Sequence, residues 1–91
     1  YEPVWAIGVA AAAADPRHAG AVHRGIPDLL RTQDGGGVAL RVVYGGSVDR
    51  DSATPLLEQD GVDGLFVGRA ALDPRHFAAI AAQAEELAGP R

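Results

Sequence analysis

Ala39-Leu40-Arg41-Val42-Val43-Tyr44 is a short apolar run followed at once by Gly45-Gly46-Ser47-Val48. The same arrangement occurs twice more, because Gly64-Leu65-Phe66-Val67 runs into Gly68 and Tyr1 to Ile7 runs into Gly8. Short apolar runs bounded by glycine read as buried strands, and helical segments lie between them. Strand and helix in alternation is the pattern of βα units joined into a parallel sheet. The expected fold class is therefore α/β, with about three βα units and parallel strands.

The helices announce their ends. Asp15 is placed to cap a helix whose first position is Pro16, where the missing proline N–H costs nothing. Ala19, Val22, Ile26, Leu29 and Leu30 recur at helical spacing and predict its buried face. Pro27 predicts a kink or a break near His23 to Ile26. Asp15-Pro16-Arg17-His18 recurs as Asp73-Pro74-Arg75-His76, which opens a final helix bearing Phe77, Ile80, Ala81, Ala84 and Leu87 inward; Gly89-Pro90 stops it. A shorter helix is expected over Ser52 to Gln59, with Asp51 or Asp49 near its start and Leu56 and Leu57 inward. Asp34 to Gly37 reads as a surface loop.

Composition narrows the function classes. With 47% hydrophobic and 22% charged residues the chain is that of a globular protein with a core. The net charge is -4 and its arginines are scattered singly, so the clustered cations of a nucleic-acid surface are absent. No apolar run approaches the roughly 20 residues that span a bilayer, so no membrane partner is expected. The absence of cysteine removes disulfides and thiolate sites; it fits the cytoplasm, the compartment expected here, and equally fits exported proteins that lack disulfides. Capping accounts for Asp15 and Asp73, His18 and His76 read as solvated first-turn residues, and His23 has Pro27 rather than a ligand at i+4. No metal and no cofactor are expected.

In parallel α/β architectures, active-site groups collect at the C-terminal ends of strands. Three candidates stand there: Glu2, held extended by the following Pro3; Gly45-Gly46-Ser47; and Gly68. Glycine lets a backbone approach a ligand closely, and N–H groups at the start of a following helix favour a phosphate dianion. Two successive strand-glycine-helix junctions thus form a candidate phosphate site, while each alone reads equally as a turn. Glu2 as a general base would require a pocket that raises its pKa; otherwise it is a solvated strand-end carboxylate.

Taken together, Tyr1-Glu2-Pro3-Val4-Trp5-Ala6-Ile7-Gly8, Tyr44-Gly45-Gly46-Ser47-Val48 and Asp63-Gly64-Leu65-Phe66-Val67-Gly68, closing on Ala70-Ala71-Leu72-Asp73-Pro74, resemble the triosephosphate isomerase family in order and spacing. The resemblance implies that residues 1–91 are the C-terminal part of a single (β/α)8 barrel domain, covering strands six to eight, with strands one to five outside this chain. The length agrees, since a closed barrel takes about 250 residues, and the chain has no methionine and opens abruptly on Tyr1.

The resemblance further implies an aldose-ketose isomerase of glycolysis and gluconeogenesis acting on a small phosphorylated sugar, with Glu2 shuttling a proton through an enediolate. Pro3 to about Ala11, including Ile7, would form a lid hinged at Trp5; Gly8, Gly46, Ser47 and Gly68 would surround the phosphate; Tyr44 and Ser47 would hold the lid closed. The family's substrate lysine and carbonyl-polarising histidine lie on strands one and four, so these 91 residues are expected to be inactive alone, and the parent is expected to be a homodimer.

Two departures are visible. The family lid continues Gly-Thr-Gly-Lys, whereas this chain has Gly8-Val9-Ala10-Ala11; the usual Gly-Gly after strand eight is Gly68-Arg69, a long cation that could bind the phosphate or point away, standing where a bare backbone would approach it. Both resemble the L-erythrulose-1-phosphate isomerases of the same family, while Tyr44-Gly45-Gly46-Ser47-Val48 and Leu72-Asp73-Pro74 resemble the triose enzyme. A non-catalytic paralogue that binds a phosphorylated metabolite is the third reading.

Overall fold

A computed structural model describes residues 1–6, 15–34 and 40–89 of the chain. Helix α1 spans Pro16–Asp34, strand β1 Val43–Gly46, helix α2 Arg50–Leu57, strand β2 Gly64–Val67 and helix α3 Pro74–Ala88, with short 3₁₀ turns at Val4–Ala6 and Arg69–Leu72. The strands are parallel, with Val43 opposite Gly64, Tyr44 opposite Leu65, Gly45 opposite Phe66 and Gly46 opposite Val67. Helix α2 is the crossover that parallel neighbours require.

The expected caps operate. The Asp15 carboxylate accepts the Arg17 N–H at 2.9 Å, and Asp73 does the same for Arg75 at 3.0 Å, each followed by its proline. At α2 the cap is Asp49, and the helix starts two residues before the expected Ser52. Asp49 Oδ1 accepts the N–H groups of Asp51 and Ser52, both at 2.9 Å, while Ser52 Oγ accepts the Asp49 N–H at 3.0 Å. This reciprocal box satisfies donors that a helix start otherwise leaves open. Gly89 ends α3 at φ +74°, a backbone that side chains other than glycine's rarely adopt.

Several expectations change. Of the kink or break expected at Pro27, the break does not occur: helix α1 runs continuously through it, so the proline costs a hydrogen bond without dividing the element. Its burial is concentrated at Ala19, Gly20 and His23, whereas Leu29 and Leu30 are exposed. Helix α1 packs against α2, and its described buried residues all lie in its first half. On α3 only Ile80 of the expected inward residues is buried; Phe77 and Leu87 are exposed and line a groove of about 730 Å³ with Leu57, Val62 and Leu65, beside β2.

Of the strand expected over Tyr1 to Ile7, the described residues 1–6 do not form a strand as such. Tyr1 alone joins the sheet: its amino nitrogen donates to the Val43 carbonyl at 2.8 Å and its carbonyl accepts the Gly45 N–H at 2.7 Å, which sets Tyr1 beside Tyr44. Pro3 has no N–H with which to extend that ladder, and Val4–Ala6 turns away as a 3₁₀ turn. Strand β1 begins at Val43 rather than Ala39. Its predecessor Val42 donates its N–H to the Asp63 carboxylate at 2.7 Å instead of to a backbone carbonyl.

The helices cover one face of the sheet. Ala19, Tyr44, Val48, Ala53, Leu56, Val62 and Ile80 form the core, with Tyr1, Leu65, Val67 and Ala70 packed against it. Side chains alternate between the faces of a strand, so Val43, Gly45 and Phe66 belong to the opposite face, and Val43 and Phe66 are exposed there.

Candidate active site

On that uncovered face Glu2 follows Tyr1 and therefore points away from the core. Its carboxylate lies over Gly45: a Cβ built on Gly45 would stand 3.8 Å from Glu2 Oε2, 3.9 Å from the Tyr1 carbonyl and 3.6 Å from the Phe66 Cβ. Tyr1, Glu2, Val43, Gly45 and Phe66 line a hollow of about 270 Å³ at this place. A small residue at Gly45 keeps its floor low, and Val43 and Phe66 supply apolar walls. Glu2 itself is exposed, and its carboxylate borders this hollow.

Pro3 is buried and fixes the chain directly after Glu2. Trp5 follows on the 3₁₀ turn, half-exposed, with its ring 5.4 Å from that of His18. His18, in the first turn of α1, also brings Nε2 to 3.2 Å from the Tyr1 hydroxyl. Residues 7–14 lie outside the described residues, and with them Ile7, Gly8 and the altered lid positions Val9, Ala10 and Ala11.

The two glycine junctions stand at the C-terminal ends of β1 and β2. Gly46 ends β1, and Ser47, half-buried, leads through Val48 to the Asp49 cap. The N–H groups of Asp51 and Ser52 are already taken by the Asp49 carboxylate, whose pKa they hold below its ordinary value. After β2, Gly68 precedes the turn at Arg69–Leu72 and its carbonyl accepts the Ala71 N–H at 3.0 Å. Gly68 and Arg69 are both exposed, and a Cβ on Gly68 would meet nothing within 4 Å, so open space rather than crowding surrounds this junction.

Tyr44 is on the other side of the sheet from Glu2. It is fully buried, with its ring 6.1 Å from that of His23 and edge-on to Tyr1 at 6.2 Å. In this position it packs the core beneath the site.

His23, which has no ligand partner at i+4 in the sequence, is fully buried. The Gly61 carbonyl can only accept, so His23 Nδ1 at 3.1 Å carries the proton and donates. Burial lowers the His23 pKa and outweighs the opposing hydrogen bond to Gly61, which keeps the ring neutral. Sequence reasoning missed three residues that shape the site: Phe66 as its wall, Asp63 as the tie between strand starts, and His18 as the contact of Tyr1 and Trp5. Only Phe66, at an alternate position of a recognised strand, carried a signal that could have placed it. Among the described residues no helix is long and apolar enough to cross a membrane, and no three His, Asp or Glu side chains come together as metal ligands.

Residues 1–84 match the triosephosphate isomerase family model. The chain is 48% identical over 82 residues to the triosephosphate isomerase of Solibacter usitatus and 45% identical over 82 residues to that of Halorhodospira halophila; each match covers 88% of this chain and 32% of the relative. It is 40% identical over 80 residues to the probable triosephosphate isomerase 2 of Listeria monocytogenes serotype 4b, covering 88% of this chain and 31% of the relative. The chain thus spans about a third of the length of the curated relatives it matches. With parallel strands, a carboxylate over a glycine floor and a family match across nearly its whole length, the chain belongs to the triosephosphate isomerase family.

Proposed function

We propose that these residues are the C-terminal part of one (β/α)8 barrel domain, and that the whole interconverts dihydroxyacetone phosphate and D-glyceraldehyde 3-phosphate. The observation that carries the reading is the Glu2 carboxylate over Gly45, in a hollow walled by Val43 and Phe66. Glu2 removes a proton from the substrate carbon next to the carbonyl, the electron pair moves into an enediolate, and the same carboxyl returns the proton to the former carbonyl carbon, while the hydroxyl proton passes from the oxygen that becomes the new carbonyl to the old carbonyl oxygen by way of the electrophile in the upstream segments. No group is gained or lost, so neither an oxidant nor a cofactor enters the balance. The backbone at Gly46, Ser47 and Gly68, together with Gly8, takes the phosphate.

A base without its electrophile loses transition-state stabilisation, so the 91 residues alone are inactive. The parent is a cytoplasmic homodimer acting in glycolysis and gluconeogenesis. The exposed Arg69 at the head of the turn after β2 supports a second reading, a four-carbon substrate such as L-erythrulose 1-phosphate. A polypeptide carrying this chain behind the upstream segments of its relatives is assayed with both sugars, as wild type and as Glu2→Gln. Triose turnover abolished by Glu2→Gln is the expected result. Preference for the four-carbon sugar selects the second reading, and turnover of neither leaves a non-catalytic binder of phosphorylated metabolites.

A further inference from the structure

Helix α1 begins at a well-defined place, because Asp15 caps it and Pro16 presets its first turn. His18 stands in that turn, and two side chains from the segment around Glu2 converge on its exposed ring. The Tyr1 hydroxyl lies 3.2 Å from His18 Nε2, and the Trp5 ring is tilted against the imidazole at 5.4 Å between centroids. Tyr1 is tied to β1 through its backbone, and Pro3 is buried, so Tyr1 and Pro3 are anchored by the sheet side of the molecule. Trp5 is different: it is 51% exposed, on a three-residue turn, and among the described residues its ring packs against His18.

We infer that His18 is a positioning residue for Glu2, clamping the Tyr1-to-Trp5 segment to the first turn of α1 from both ends. The role rests on the isomerase reading of Glu2. A ring on a capped helix limits how far Tyr1 and Trp5 move, and with them the backbone that carries the carboxylate. Placement of this kind acts on the rate of the proton transfer rather than on substrate affinity, since misplacing a reacting group by about 1 Å can cost as much as 100-fold in rate.

Trp5 is the sole tryptophan of the chain and reports the clamp directly. His18→Ala and His18→Gln are compared with wild type in the 91-residue chain by acrylamide quenching of Trp5, with far-UV circular dichroism confirming equal helix content. The same variants are assayed for isomerisation in the polypeptide that includes the upstream segments. Expected is stronger quenching in His18→Ala, a kcat about tenfold lower with KM within about twofold of wild type, and recovery of most of kcat in His18→Gln, which keeps a partner for the Tyr1 hydroxyl. Unchanged quenching in His18→Ala overturns the clamp. Altered quenching with unchanged kcat overturns its role in positioning Glu2. Absence of turnover in wild type overturns the isomerase reading itself, and is told apart because the Trp5 measurement does not depend on turnover.

Discussion

Asp63 and Val42 hold each other at both ends: Asp63 Oδ2 accepts the Val42 N–H at 2.7 Å, and the Asp63 N–H donates to the Val42 carbonyl at 2.9 Å. The pair sits immediately before the first register partners, Val43 and Gly64, so it sets where the two strands begin to pair. Register decides which residues share a face, and a slip of one residue would move Phe66 from the face of Glu2 to the helix side.

Asp63→Ala therefore leaves the Val42 N–H without its charged acceptor and should destabilise the chain by about 1.5–3 kcal/mol, the range for hydrogen bonds to charged groups. Asp63→Asn, which keeps a carbonyl acceptor, should lose less. Urea unfolding followed by circular dichroism measures both, and equal midpoints for wild type and Asp63→Ala would show that the tie contributes nothing.

His23 predicts a pH dependence. Its folded-state pKa lies below the ordinary value near 6.5, so the unfolded chain takes up a proton that the folded chain refuses. Above that value the group has no pH-dependent effect on stability. As pH falls from about 6.5 toward the folded-state pKa, stability falls, because protonation favours the unfolded state. His23→Gln, which keeps a donor for the Gly61 carbonyl, should flatten this part of the profile; thermal midpoints of both proteins across roughly pH 7 to 5 measure it. Parallel profiles would remove His23 as the cause.

Gly61 predicts a backbone requirement. It lies at φ +93°, and a Cβ there would stand 3.0 Å from Arg24 Cγ and 3.1 Å from the Arg24 backbone nitrogen. The glycine thus lets the turn before β2 press against α1 while its carbonyl receives His23. Gly61→Ala should cost about 1–3 kcal/mol from the backbone strain alone, with more added by the contact on Arg24. A denaturation midpoint equal to wild type would mean that the turn adapts freely.

Features that depend on near neighbours are legible in the amino-acid order. Asp15-Pro16 and Asp73-Pro74 start their helices, Gly89 stops the last one, and Gly64–Val67 is a strand within its expected bounds, because caps, proline geometry and apolar runs act over a few residues. The family motifs likewise lie in contiguous stretches, which is why Glu2 and the two glycine junctions were readable as candidates before any fold was known.

Features that depend on distant partners follow from how the chain folds back on itself. Tyr1 stays in the sheet while Pro3 leaves it, according to which ladder groups β1 offers. Leu29, Leu30 and Phe77 carry helical periodicity yet remain exposed, since a periodic stripe is buried only where another element reaches it. Tyr44 faces the helices and Glu2 the open side through the parallel bridge at Tyr1, and Phe66 joins Glu2 through a register that Asp63 and Val42 set across 21 residues. Periodicity marks which side chains are apolar; the pairing of chain segments far apart in sequence determines what those side chains meet.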